Sequence, residues 1–167
     1  MAELADPSTL GTLDAEGLAA AMRPLWEDAG PLAERLVGVE VGSWDEHIER
    51  AAATIAAMDD QTRAALLRAH PRIGAPPAEL ARRSAISLAE QGGTGEDPAA
   101  IARLAVLNDA YEARFGFPFV DWVKGRSRSD MIEVVEARSG RDRATELGAG
   151  CAALIAIARD RLCRLEA

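Results

Sequence analysis

Apolar positions recur every three or four residues along most of this chain, the spacing that gathers them on one face of an α-helix. From Asp14 to about Glu27 they fall at Leu18, Ala21, Met22 and Leu25, with Asp14 placed to cap the first turn. Gly30-Pro31 interrupts the pattern, and a shorter helix is predicted through Leu36. Ser43 opens the sequence SWDE, a capping box in which Ser43 and Glu46 satisfy each other's backbone donors; its helix should run to about Met58. Asp59 or Asp60 starts the next, which carries Leu66 and Leu67 and stops near His70-Pro71. The tract GAPP, Gly74 to Pro77, reads as a linker into a helix from about Ala78 to Ala89. Past the glycine-rich GGTGEDP, Pro98 suits a first turn, and a longer helix carries Ile101, Leu104, Leu107, Asn108 and Tyr111 to about Phe115. Ser129 or Asp130 begins a helix through Ala137, and Ser139-Gly140 separates it from a final one over about Arg141 to Leu165. β-Branched alternation is missing. The pattern predicts an all-α bundle of about seven to nine helices, a single domain over 1–167.

One stretch breaks the rhythm. FGFPFVDWVK, Phe115 to Lys124, holds all three phenylalanines of the chain at alternating positions. Pro118 has no backbone N–H to give and Gly116 is permissive, so helix should yield here to extended chain. In that geometry Phe115, Phe117 and Phe119 point one way and form an apolar wall. The backbone of Val120 to Val123 is then available either to a ligand or to the loop's own packing.

Composition narrows the function classes. A net charge of −8 argues against a nucleic-acid partner, which needs a basic surface, yet a few arginines can still line a pocket for a small anion. No apolar run reaches bilayer length, and the start MAELADPSTLG has two acids and no basic run, so a cytoplasmic protein without a membrane partner is expected. Cys151 and Cys163 lie twelve apart on one predicted helix, too far to bridge, and read as buried thiols. Neither His47 nor His70 has a Cys or His at ligand spacing, so no metal is expected. GGTGED lacks the lysine ending of a phosphate loop and follows no strand; it reads as a connection.

Two further stretches can carry chemistry. In AHPRIG, Ala69 to Gly74, Pro71 disfavours α geometry at His70 and leaves the imidazole at a helix end. There it either caps the helix or, tuned by the helix terminus and by burial, does acid–base work. In SLAEQ, Ser87 to Gln91, the residues Ser87, Glu90 and Gln91 share one helix face at i, i+3, i+4. They are either a solvated helix end or a hydroxyl, carboxylate and amide facing a pocket.

HP, then SxxEQ beginning seventeen residues after His70, then LNxxYxxRFGFPF: this combination, in this order, resembles the 2-oxo-4-hydroxy-4-carboxy-5-ureidoimidazoline (OHCU) decarboxylase family. The likeness runs from the helix before AHP to the terminal IARDRL. It implies an all-helical, cofactor-free, commonly homodimeric enzyme of urate degradation that forms (S)-allantoin from a small-molecule substrate. By position it implies His70 and Glu90 as catalytic residues, and Pro71, Ser87 and Gln91 as substrate-binding ones. It also implies that Val120, Asp121, Trp122, Val123 and Lys124 form the strip that meets the substrate, with Arg161 a basic residue of the last helix.

The chain departs from that pattern at three nearby positions, Asp121, Trp122 and Lys124. Many relatives have an apolar residue in place of Asp121 and a small one in place of Trp122, and arginine is frequent where Lys124 stands. An acid facing the pocket repels a carboxylate, so Asp121 should point outward if the substrate is the same. The alternatives are an enzyme acting on another ureido or carboxylated heterocycle, or a non-catalytic helical binding module.

Overall fold

The computed structural model describes residues 4–75 and 97–167. Among them are a short 3-10 helix (Pro7–Thr12) and seven α-helices, with no strand. The helices are α1 (Ala15–Trp26), α2 (Gly30–Leu36), α3 (Trp44–Ala57), α4 (Asp60–Ala69), α5 (Pro98–Phe115), α6 (Arg128–Ser139) and α7 (Arg143–Glu166). The expected helix over 78–89, the GAPP tract beyond Ala75 and all but the end of GGTGEDP lie outside the described residues.

Local chemistry sets most boundaries. The Asp14 and Asp59 side chains accept from the N–H groups of Gly17 and Thr62, and Pro98 occupies the first turn of α5. Ser43 Oγ accepts from Glu46 N–H as the capping box requires, but the Glu46 carboxylate reaches one residue further back, to the N–H of Gly42. α6 begins earlier than its pattern suggested. Ser127 and Asp130 form a complete capping box, a better cap than Ser129 or Asp130 could give. α7 likewise waits for Asp142, whose carboxylate accepts from Thr145 N–H, instead of starting at Arg141.

α7 is the axis of the molecule, packing against α1, α3 and α4, while α5 and α6 form a pair. Buried apolar side chains from all seven helices join one cluster. α4 approaches α7 so closely that a Cβ on Gly150 would sit 2.7 Å from Leu67 Cδ1. That contact holds the end of α4 against the N-terminal half of α7, and His70, three residues on, shares a cavity with Ile157, Asp160 and Arg164 further along that helix. Cys151 is buried, and burial pushes its thiol up to about 11, but Cys163 is exposed, contrary to the expectation of two buried thiols.

The phenylalanines are all buried around Tyr111. Phe115 is the last residue of α5 rather than part of an extended run, and Gly116 ends the helix at φ 82°. Side chains from elsewhere hold this end: Arg68 donates to Gly116 O at 2.9 Å and Arg143 to Phe115 O at 3.0 Å. The aromatic wall therefore anchors the irregular strip that follows.

Candidate active site

His70 is the C-cap of α4, in extended geometry before Pro71, with its N–H donating to Leu67 O at 3.1 Å. It is buried and lies at the wall of a cavity of about 220 Å³. The turn behind it is pinned to α5. Asn108 Nδ2 donates to Ile73 O at 2.7 Å, and Arg72 forks onto Asp109 and Glu112 at 2.8 and 2.9 Å. AHPRIG and LNDAYE are thus one structural unit, which explains why both stretches are recognisable together.

The opposite wall is the strip after the phenylalanines. Asp121, Trp122, Val123, Lys124 and Gly125 line the cavity with His70 and Ile73, and α7 adds Ile157, Asp160 and Arg164. Lys124 at φ 50° and Gly125 at φ 73° turn the chain, and Lys124 Nζ lies 4.8 Å from the centre of the Trp122 ring. The strip's carbonyls are largely engaged. Arg138 donates to Val120 O at 3.3 Å, and Arg126 donates to Trp122 O and, at 3.0 Å, to Val123 O. Among the described residues no acceptor meets the backbone N–H groups of Asp121 to Lys124.

Asp121 is among the residues that line the cavity. Its charge is answered: Oδ2 takes a 2.8 Å bond from Arg126, and Oδ1 lies 3.7 Å from Arg138. Arg138 in turn meets the fully buried Glu146 at 2.9 Å, and Tyr111 donates to the same carboxylate. Burial, and then Glu146, pushes the Tyr111 phenol well above its ordinary range.

Three expected site residues do not line this cavity. Val120 is buried under the strip, and Pro71 faces a separate recess with Glu27, Asp28 and Ala69. Arg161 does not line the cavity. It is buried, donates to Leu25 O at 3.1 Å and lies 3.4 Å from Glu27 Oε1. The basic residue that α7 offers to the cavity is Arg164, paired with Asp160 at 2.7 Å. Lys124, by contrast, lines the cavity. Ser87, Glu90 and Gln91 lie outside the described residues.

Glu27 went unnoticed in the sequence. Its Oε2 lies 3.3 Å from His70 Nδ1. One signal pointed toward it: Arg161 continues the apolar face Leu154-Ile157-Ala158 of α7, and a guanidinium on a buried face needs a carboxylate. Asp160 and Arg164 were also legible as an i, i+4 pair. Among the described residues no group of His, Cys, Asp and Glu could hold a metal ion, and no helix is long and apolar enough to cross a membrane.

An all-helical fold with a small cavity walled by a buried histidine, two cations and two acids is the class these features define. Residues 11–163 match the family model of OHCU decarboxylase, and the chain belongs to that family. It is 26% identical over 155 residues to the uric acid degradation bifunctional protein of Bacillus subtilis (strain 168), covering 92% of this chain and 31% of that protein. It is 30% identical over 141 residues to the 2-oxo-4-hydroxy-4-carboxy-5-ureidoimidazoline decarboxylase of Halalkalicoccus jeotgali, covering 82% and 78% of the two chains. Two crystal structures share the fold at a TM-score of 0.68. One is of (S)-allantoin synthase, 18% identical and covering 96% of this chain and 54% of that one. The other is of OHCU decarboxylase in the presence of (S)-allantoin, 20% identical and covering 92% and 98%. The chain therefore spans about a third of the Bacillus protein and about half of the allantoin synthase chain.

Proposed function

We propose that this protein decarboxylates OHCU to (S)-allantoin, with His70 as its acid–base group. The observation that carries the reading is the placement of His70 across a small cavity from the strip Asp121–Lys124. The substrate bears a carboxylate and a hydroxyl on one ring carbon, next to a C=N bond. As carbon dioxide leaves, the electron pair of the broken C–C bond forms a double bond to the neighbouring carbon, and the C=N nitrogen takes up a proton. Loss of the hydroxyl proton and addition of a proton to one face of that neighbour give the (S) centre. The ring absorbs the charge itself, so the protein supplies orientation, hydrogen bonds and a directed proton.

His70 exchanges the proton with the substrate hydroxyl or the intermediate derived from it. Lys124 and Arg164 supply positive charge for the carboxylate, and the N–H groups of the strip supply donors for the ring's oxygens. Glu90, Ser87 and Gln91 belong to the same proposal as the carboxylate beside His70 and as substrate ligands, on the strength of the SxxEQ motif. Arg161 and Pro71 act by supporting the site, since Arg161 is buried against Glu27 and Pro71 lines a separate recess with Glu27 and Asp28. We extend the proposal to a cytoplasmic homodimer with one domain per chain, as the family resemblance and the single apolar cluster suggest.

A second substrate is favoured by one observation: Asp121 brings an acid to the cavity wall, a position at which many members of the resembled family are apolar. Its pairing with Arg126 and Arg138 removes most of the repulsion, which supports OHCU over another heterocycle. Freshly generated OHCU tests the point. Faster carbon dioxide release than the spontaneous decay, with optically active allantoin, supports the proposal; racemic product at the spontaneous rate refutes it.

A further inference from the structure

We infer that Glu27 is a positioning residue for His70, holding the imidazole so that Nδ1 faces away from the cavity, and that Arg161 holds Glu27 in turn. The inference rests on the reading of His70 as the acid–base group. Three observations on one residue carry it. Glu27 is a buried carboxylate at the end of α1, a place where a negative charge is not favoured by the helix terminus. Its backbone stands at φ 59° and ψ −115°, a conformation that is costly for a non-glycine residue and persists where the surroundings impose it. Finally, its two carboxylate oxygens divide their partners, Oε2 at 3.3 Å from His70 Nδ1 and Oε1 at 3.4 Å from Arg161.

The arrangement has a chemical consequence. Arg161 is itself fixed by its bond to Leu25 O, two residues before Glu27, so the guanidinium grips both the helix end and the carboxylate. Burying an arginine and a glutamate is unfavourable unless they pair, and here the pair is aimed at a third group. Nδ1 of His70 is inaccessible to solvent. Proton exchange with a molecule in the cavity must then pass through Nε2, and the carboxylate beside Nδ1 selects the neutral tautomer that carries its proton there. That leaves Nε2 with the lone pair needed to accept a proton. Other charges surround the ring: Asp28 beyond Pro71, Asp121 and Lys124 on the strip, and Asp160 and Arg164 on α7. The contact seen at Nδ1 is that of Glu27, and Glu90 lies outside the described residues.

Because the chain has only His47 and His70, nitrogen-15 NMR of the imidazoles tests the inference without substrate, and so apart from the decarboxylation itself. With His47 assigned through its own variant, neutral His70 in the wild-type protein should carry its proton on Nδ1. A proton on Nε2 overturns the proposal. Glu27→Gln should erase the tautomer preference and move the acidic limb of the kcat/KM profile down by about one pH unit or more, because a carboxylate within reach favours the charged ring. Its kcat should fall at least about tenfold while KM moves about threefold or less, a loss in the step and not in binding. Glu27→Asp keeps the charge and should keep the midpoint of that limb. An unchanged tautomer and midpoint in Glu27→Gln would overturn the proposal even if the protein were less stable.

Discussion

Arg138 Nε lies 2.9 Å from Glu146 Oε2, and Glu146 is completely buried. The same guanidinium stacks 4.6 Å over the Phe119 ring and bonds to Val120 O, so one side chain ties the cavity strip to α7. Removing it strands a buried carboxylate that keeps only Tyr111 and, at 3.5 Å, Arg141. Arg138→Met should destabilise the protein by about 3–5 kcal/mol in urea unfolding. Arg138→Lys should recover only part of this, because lysine lacks the planar fork that serves several acceptors. Full stability in both variants would show that the network is dispensable.

Gly74 closes the turn behind His70 at φ 75°, and a Cβ there would meet Leu104 Cδ2 at 2.6 Å. Gly74→Ala should cost about 1–3 kcal/mol from backbone strain, with activity falling as the histidine turn shifts. Gly148, exposed in α7 with open space around it, is the control: Gly148→Ala should stabilise by about 0.5–1 kcal/mol. Thermal unfolding of the two variants should move in opposite directions.

Lys124 stands on the cavity wall at φ 50°, which arginine tolerates no worse than lysine does. If it serves as a positive charge, Lys124→Arg should leave kcat/KM within about threefold. Lys124→Met should raise KM about tenfold or more, the worth of a hydrogen bond to a charged group. The KM of the wild type should also rise with salt, and that of the methionine variant less steeply.

His47 is buried against Trp44, and desolvation holds its imidazole down to about 4 from the ordinary 6.5. Its proton is bound in the unfolded chain but not in the native one between those values. Its contribution to stability is therefore fully present above about pH 6.5 and lost progressively as pH falls toward 4. The loss should be on the order of 3 kcal/mol. Urea midpoints taken across that range should show a shallower pH dependence in His47→Leu than in the wild type.

The helical plan was legible because caps and periodicity are local. Asp14, Asp59 and Pro98 stand where the sequence placed them, and each acts on a backbone within a few residues. The start of α6 was missed because RSRSD offers two serines, and only Ser127 has Asp130 at the reciprocal distance. Within the site, His70 and the strip were readable because Pro71 and Pro118 interrupt helices nearby. The role of Arg161 and the presence of Glu27 were not. They meet through a contact between residues 134 apart, Arg161 and Glu27, which no short window contains. Asp121 was recognised as unusual, but its pairing with Arg138 was not legible for the same reason, since Arg138 comes from another helix.

The account turns on His70 as the group that moves the proton. The most direct measurement compares wild type with His70→Ala on freshly generated OHCU, following carbon dioxide release and the optical rotation of the allantoin formed. The account predicts a rate lower by ~10²–10⁴-fold in the variant, with stereochemical preference lost to the spontaneous reaction. A variant that keeps its rate within about threefold and still yields (S)-allantoin would contradict it.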